Sequence, residues 1–387
     1  MLPPLSSTLA GQASPAILAL ADGTLFRGVS IGAPGQCSGP MVVNTLMTGH
    51  QEIMTDSAYA GQILALTYPH VGSTGVNPHD SSSSGSRING LVIRDCPAVM
   101  SNFRATQSLP DYLVEQGIVA ISGIDTRQLA RHVRDHGTQQ ACILVGDDAQ
   151  EALSVARAES EQQHDAQSVS FDAVSVTKQQ SWSQGVVPLA GGDATRTPSG
   201  IHVVVYDLGV KYGLLRELAD RDCRVTLVPA SATAADILAL QPDGIVLSSG
   251  PTLPQAHTTL VSTSQDLLAA RVPIMAVGLG LQLVAQALGA SLVRHKTGRH
   301  GGNHPVQHLP SGRVLITSQH YDMAVQQETL PDNVHVTHMS LFDGTVQGFE
   351  LTDAPVQCFM GYPEGSPGPR DAAPLINSFL DLMAANR

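Results

Sequence analysis

One stretch of the sequence has the layout of a catalytic turn, in which a sharp bend joins a buried strand to a helix. The apolar run Ile274–Val277 predicts the strand. The residues that follow have helical spacing, with apolar side chains at Leu281, Val284, Ala285 and Leu288. Gly289 then predicts the end of the helix. A side chain at position 278, the tip of the bend, would stand above the sheet at the positive end of the helix.

Such a turn supports nucleophilic chemistry, which needs a reactive side chain at the tip and a base beside it. The residue at the tip is Gly278, which has no side chain. Other polar residues are predicted near strand ends of the same domain: Ser248, Ser249, His320, Asp322 and Glu364. They could form a serine-type site, but neither serine lies on a strained strand-to-helix turn, so we favour a non-catalytic role for them.

The composition indicates a globular protein. The chain has 387 residues, of which 42% are hydrophobic and 14% charged, enough for two domains with cores. The 21 basic and 33 acidic residues give a net charge of −12, which argues against nucleic acid or an anionic membrane as partner. No apolar stretch reaches the roughly 18 residues that span a bilayer, and the N-terminus lacks a signal-peptide pattern. We expect a soluble, cytoplasmic protein.

The cysteine and histidine patterns do not predict a metal site. The five cysteines are odd in number and scattered, which fits neither a disulfide framework nor a zinc pair. Two of the fifteen histidines lie in the segment His300–Pro305 (HGGNHP), without ligand spacing. Because this segment is rich in glycine, we predict a structural turn there, with an anion cradle as the alternative.

The chain is predicted to be an α/β protein of two domains. Residues 16–148 alternate short apolar runs with Gly, Pro and Ser loops, which indicates a mixed, strand-rich domain. Residues 149–200 are polar and then rich in Gly and Pro, which predicts a linker, helical in its first part. In residues 201–387, strands alternate with helices, which predicts a doubly wound parallel sheet with its site at the carboxyl ends of the strands.

Several short motifs carry a resemblance to a known family. They lie at residues 44–52 (NTLMTGHQE), 66–70 (LTYPH), 101–104 (SNFR), 123–127 (GIDTR), 206–209 (YDLG), 300–305 (HGGNHP), 340–345 (SLFDGT) and 363–369 (PEGSPGP). With these motifs the chain resembles the small, glutamine-hydrolysing subunit of carbamoyl phosphate synthetase from about Ala16 to the C-terminus. The resemblance implies a class I glutamine amidotransferase domain behind an N-terminal domain typical of this subunit.

The resemblance also implies a partner and a cellular role. In the family, the small subunit docks on a large synthetase subunit and supplies it with ammonia through a tunnel. ATP and bicarbonate would bind only the large subunit, so no cofactor is expected in this chain. Carbamoyl phosphate serves arginine and pyrimidine biosynthesis in this family.

At the catalytic positions this sequence departs from the family. Amide cleavage needs a thiolate at the elbow, a histidine that takes its proton and a carboxylate that orients the histidine. The resemblance places these roles on Gly278, Tyr362 and Glu364, of which only Glu364 has the family's residue type. The resemblance therefore implies a degenerate triad.

The glutamine-binding positions depart as well. The family's serine and histidine there fall on Leu46 and Leu281, and its Asn, Gly and Phe fall on His320, Asp322 and Met323. Thr252 replaces the second glycine of the oxyanion loop, whereas the family's residues are kept at Gly250, Leu279 and Gln282. We expect poor glutamine binding from these changes.

Two interpretations of Gly278 compete. In the first, the position is inert, and glycine relieves a backbone strain of roughly 1–3 kcal/mol that a nucleophile would require. In the second, another residue has taken over catalysis. Cys358 lies four residues before Tyr362, but strand alternation predicts a core residue. We favour the first, because losing a nucleophile and its base typically lowers the rate by about 10⁴ to 10⁶. No cysteine lies beside the elbow in the sequence to replace the nucleophile.

Three functions remain as hypotheses. In the leading hypothesis, the chain is a small subunit that no longer cleaves glutamine. It supports or regulates a large subunit that takes free ammonia as its nitrogen source. The second is a stand-alone protein that binds another metabolite near Leu46, His320, Asp322 and Tyr362. The third is a glutaminase with an unrecognised nucleophile.

Overall fold

The computed structural model describes residues 14–162, 170–188, 192–251 and 257–387. These residues divide into two compact units. The N-terminal unit contains residues 14–55, 59–81 and 85–162, and the C-terminal unit contains most of the rest. Residues 56–58 and 82–84 belong to the C-terminal unit although they lie early in the sequence.

The N-terminal unit is built on a barrel. Its strands are β1 (Pro15–Leu20), β2 (Leu25–Ser30), β3 (Gln36–Asn44), β4 (Ile63–Leu66), β5 (Gly90–Val92), β6 (Val119–Ser122) and β7 (Gln140–Val145). They close in the order β1-β2-β6-β5-β4-β3-β7, with parallel pairing from β3 through β6. Side chains alternate between two apolar clusters, so Ile63 and Leu64 of β4 pack on opposite faces. This confirms the predicted strand-rich domain.

Among the described residues of this unit, four α-helices accompany the barrel: α1 (His50–Met54), α2 (Leu109–Glu115), α3 (Thr126–His136) and α4 (Ala149–Gln162). The side chain of Asp125 caps the start of α3 by accepting a hydrogen bond from the N–H of Gln128, and the helix ends at Gly137. Helix α4 packs Ala152 and Ala156 against Ile17 and Cys142. The first part of segment 149–200 is thus a helix in contact with the barrel.

The C-terminal unit is built on a wide sheet. Its strands are β8 (Gln180–Trp182), β9 (His202–Asp207), β10 (Arg224–Pro229), β11 (Gly244–Leu247), β12 (Ile274–Val277), β13 (Leu292–His308), β14 (Val314–Val325), β15 (Val334–Ser340), β16 (Val346–Leu351) and β17 (Val356–Phe359). Their order is β14-β13-β15-β16-β17-β12-β11-β9-β10-β8. The run β17-β12-β11-β9-β10 is parallel, and the remaining pairs are antiparallel.

Helices cover both faces of this sheet. They are α5 (Tyr212–Ala219), α6 (Ala234–Ala239), α7 (Thr258–Ala269), α8 (Leu279–Ala287) and α9 (Pro374–Ala385). Alternate residues of β12 enter different cores: Ile274 packs in the cluster that includes α6, α7 and α8, and Met275 in the one that includes α5 and α9. This two-sided packing explains why β12 is apolar at every position and confirms the doubly wound fold.

One local prediction is wrong. The segment His300–Pro305 is not a glycine-rich turn but part of the long strand β13, paired with β14. The pairing shifts register between Gly301 and His304, so the glycines lie at an irregularity within a strand. Pairing with a strand later in the sequence determined the structure here, and local composition did not show it.

Candidate functional site

The predicted elbow is present at Gly278, where β12 turns into α8. Its backbone has φ 55° and ψ −108°, which L-residues rarely adopt. Three hydrogen bonds hold the turn: Gly278 N donates to Phe359 O (2.9 Å), Gly280 N to Ser248 O (3.1 Å) and Gln282 N to Gly278 O (3.3 Å). The tip is therefore fixed between the carboxyl ends of β11 and β17, at the N-terminus of a helix.

The space around the elbow tip would admit a side chain. A Cβ added at Gly278 would lie 3.4 Å from Ser249 Cβ and 3.7 Å from the carbonyl oxygen of Met360. At Gly250, by contrast, a Cβ would lie 2.1 Å from Leu208 O, so only glycine fits there. The cost of a side chain at position 278 is thus chiefly the positive φ, and not a clash.

No cysteine in the C-terminal unit is suited to replace a nucleophile at this tip. Cys358 lies in β17 with its side chain in the core, and burial followed by the charge of Glu350 raises the pKa of its thiol well above the usual range. Cys223 packs in the other core, and burial raises its pKa to about 11. Both stay protonated thiols at neutral pH, which are poor nucleophiles.

Tyr362 is buried and contacts a lysine. Its N–H donates to Ser318 O (3.0 Å), which fixes it just after β17. The ammonium nitrogen of Lys211 lies 3.8 Å from the centroid of the Tyr362 ring, a cation–π contact. Position 362 thus carries a phenol and not the imidazole that acts as the base of a catalytic triad.

Lys211 also faces two carboxylates. Its Nζ lies 3.5 Å from Asp56 Oδ2 and 3.9 Å from Glu364 Oε1, and each of the three side chains is at most 2% exposed. The pKa of Glu364 is raised, chiefly by burial and in part by Asp56, and the ammonium of Lys211 and a backbone hydrogen bond at Glu364 offset only part of the rise. The first turn of α5 lies close to this cluster, since a Cβ on Gly213 would be 2.9 Å from Glu364 Cγ.

A second buried cluster joins His300, His320 and Asp322. His320 Nε2 lies 2.9 Å from the carbonyl oxygen of Ala58 and therefore donates to it. Its Nδ1 lies 2.6 Å from His300 Nδ1, so a neutral His320 accepts there and His300 donates. His300 Nε2 in turn faces Asp322 Oδ1 at 3.3 Å. The result is a chain of polar contacts from a carboxylate to a backbone carbonyl.

Burial and neighbouring charge set the ionisation of this chain. Burial and then the charge of His300 lower the pKa of His320 to about 3. For Asp322, burial raises the pKa, but the hydrogen bond and charge of His300 outweigh it, and the pKa falls well below the usual range. At neutral pH His320 is neutral and Asp322 is an anion.

The other predicted binding residues occupy varied positions. Gln282 Nε2 donates to Met323 O (3.0 Å), which links the first turn of α8 to β14. Leu279 and Leu281 are buried in the core under α8. Leu46 lies in the N-terminal unit, half-buried, where its N–H donates to Asn44 Oδ1 (2.8 Å). Thr252 lies outside the described residues.

The serines have structural contacts. Ser248 Oγ accepts from Leu208 N (2.9 Å) and donates to Ser249 O (2.8 Å), which commits its proton to a backbone carbonyl. Of the two, Ser249 is the one nearest the elbow tip. The hydroxyl of Ser248 is thus poorly placed to act as a nucleophile.

Sequence reasoning missed Lys211, Asp56 and the pairing of His300 with His320. The sequence contains only three lysines, and Lys211 lies two residues after the 206–209 motif, which was the available signal. Within the described residues, no group of three or more His, Cys, Asp or Glu side chains is arranged to hold a metal ion. Nor does any helix there combine the length and apolar character that crossing a bilayer requires.

Comparison with known proteins identifies the family. The model of the carbamoyl-phosphate synthase small chain, CPSase domain, matches residues 18–143, and that of glutamine amidotransferase class-I matches residues 204–382. The carbamoyl phosphate synthase small chain of Thioalkalivibrio sulfidiphilus is 50% identical over 378 residues, covering 96% of this chain and 97% of that one. The chain belongs to the carbamoyl phosphate synthase small-chain family.

Other relatives agree. The carbamoyl phosphate synthase small chain of Ralstonia nicotianae is 49% identical over 383 residues, covering 96% of this chain and 98% of that one. Among solved structures, a glutamine amidotransferase from Thermotoga maritima aligns over 48% of this chain and 85% of its own, at 17% identity and a TM-score of 0.34. The family models and the two small-chain relatives confirm the predicted family and amidotransferase domain, whereas the site roles and the domain boundaries stay predictions.

We expect Lys211→Met to destabilise this small chain by about 3–5 kcal/mol, because it leaves Asp56 and Glu364 as buried carboxylates without a cation. Urea unfolding followed by circular dichroism measures the change. The exposed Lys178→Met is the matched control, with an expected change within about 0.5 kcal/mol. Equal stability of the two variants would contradict the assigned ion pairs.

Stability should also depend on pH through His320. Its folded pKa lies below the unfolded value, so its contribution is full above about pH 6.5 and is lost as the pH falls towards about 3. In His320→Gln, an amide can still donate to Ala58 O but does not titrate. Between pH 6 and 4, we expect the free energy of unfolding to fall less steeply in the variant than in the wild type. The two slopes should differ by up to about 1.4 kcal/mol per pH unit. If the free energies of unfolding of the wild type and the variant had the same pH dependence, this prediction would be wrong.

Proposed function

We propose that this carbamoyl phosphate synthase small chain does not cleave glutamine and instead supports a large chain that uses free ammonia. The observation that carries the proposal is the elbow tip, where a residue without a side chain occupies the place of a nucleophile at Gly278. The family relationship supports the partner, because the relatives are named as small chains of carbamoyl phosphate synthase. ATP and bicarbonate would bind that large chain.

The surroundings of the elbow also support an inactive site. Tyr362 stands where the resemblance places a base, and it packs against a lysine ammonium. Glu364 stands where the resemblance places the orienting carboxylate, but its nearest cation is that same lysine. A hydrolytic step would therefore lack both the attacking atom and the group that activates it.

A binding role for the altered site is the second candidate. The specific observation is that His320 and Asp322, at positions where the resemblance predicts glutamine contacts, both lie beside His300. These side chains contact one another and a backbone carbonyl, which favours a structural network over an open binding surface. We therefore keep the inactive small chain as the conclusion.

The decisive assay compares nitrogen sources. The chain is reconstituted with its large chain, and carbamoyl phosphate formation is measured with glutamine or ammonium as sole nitrogen donor. We expect ammonium-driven synthesis and a glutamine-driven rate lower by at least about 10⁴-fold than for a small chain with an elbow cysteine. Robust glutamine-driven synthesis would refute the inactive site, and failure of the two chains to associate would refute the supporting role.

The elbow itself can be tested by substitution. Gly278→Ala should lower the free energy of unfolding by about 1–3 kcal/mol, because alanine must adopt the positive φ. In Gly278→Cys, the introduced thiol lies at a helix N-terminus, which lowers thiol pKa. We expect iodoacetamide to alkylate it at neutral pH at least about tenfold faster than Cys358, as followed by mass spectrometry. Equal rates would contradict the elbow geometry.

A further inference from the structure

The cluster around Lys211 has the composition of a cation-binding site. Two carboxylates, Asp56 and Glu364, and the face of the Tyr362 ring surround one ammonium group. Carboxylates and aromatic faces are the groups by which proteins bind organic ammonium ions. The four side chains are each at least 96% buried, so this arrangement lies inside the C-terminal unit and not on its surface.

The contacts of the cluster leave acceptor capacity unused. Lys211 Nζ makes ion pairs of 3.5 and 3.9 Å, which are longer than direct charge-assisted hydrogen bonds of about 2.7–2.9 Å. Within the described part of the chain, Glu364 Oε2 is buried and has no hydrogen-bond partner. The carboxylates therefore offer more hydrogen-bond acceptors than the tethered ammonium satisfies.

The remaining contacts fix the walls of the cluster independently of Lys211. Asp56 Oδ1 accepts from Ala58 N (3.0 Å), and the hydroxyl of neighbouring Ser57 donates to the carbonyl oxygen of Gly209. Tyr362 is held through its backbone by Ser318. Because these bonds do not involve the lysine side chain, the walls can persist when that side chain is shortened.

We propose that Asp56, Tyr362 and Glu364 form a binding site for a primary ammonium ion, which the native chain fills with its own Lys211. The ligand class is ammonium and small alkylammonium ions, whose N–H groups can reach carboxylate oxygens. A quaternary ammonium has no N–H donor and does not match the unused acceptor at Glu364. The inference concerns a site inside this chain and does not depend on whether the chain supports a synthetase.

The test is chemical rescue of Lys211→Ala. This variant removes three carbons and the nitrogen of the side chain, which is the composition of n-propylammonium. Thermal unfolding is measured in ammonium, n-propylammonium, sodium and tetramethylammonium chlorides at about 0.1 M, where surface charges are already screened over roughly 10 Å. We expect the two ions with N–H donors to raise Tm by roughly 2–4 °C above the other two salts.

Two controls separate a filled site from a salt effect. In Lys211→Met an apolar side chain occupies the space, so Tm should not depend on which of the four salts is present. The wild type should show the same lack of dependence. Equal Tm of Lys211→Ala in all four salts would overturn the proposal, and so would the same ion-specific gain in Lys211→Met.

A refolding assay covers the case in which Lys211→Ala does not fold unaided. The variant is diluted from urea into each salt, and the yield of soluble protein is measured. A yield at least about threefold higher with n-propylammonium than with tetramethylammonium supports the site. No difference between these salts contradicts it.

Discussion

The positive φ of Gly278 is the constraint around which the C-terminal site is arranged. It allows β12 to turn directly into α8, and hydrogen bonds from the ends of β11 and β17 hold the turn in place. Parallel strands bring their carboxyl ends to one edge of the sheet, so the bend at Gly278 lies beside the residues that follow β11 and β17. The chain keeps the geometry of a catalytic elbow, although glycine provides no reacting atom.

Buried charge is the second theme of the structure. Lys211 lies between Asp56 and Glu364, and His300 faces Asp322, in places where unpaired ions would be costly. Each cluster joins residues far apart in the sequence. Both also contact the segment 56–58, through Asp56 and through the carbonyl oxygen of Ala58. Polar networks of this kind favour one arrangement of the chain, because a partly formed network leaves groups without partners.

The sequence predicted local features well and long-range pairing poorly. The elbow was predictable because its signals, an apolar run followed by helical apolar spacing and a terminal glycine, lie within a few positions of one another. The segment His300–Pro305 was mispredicted because its strand forms only by pairing with β14, and the glycines suggested a turn. The Lys211 cluster was missed because nothing in the spacing of Asp56, Lys211 and Glu364 shows that they meet. Thr252 lies outside the described residues.

We propose above that this member of the carbamoyl phosphate synthase small-chain family has no nucleophile for glutamine. The most direct measurement is the intact mass of the protein after incubation with a glutamine analogue that carries an electrophilic ketone and alkylates elbow thiols. The account predicts no adduct on the wild-type chain. Stoichiometric addition of one analogue per chain, blocked by glutamine and mapped to a residue beside Gly278, would contradict it.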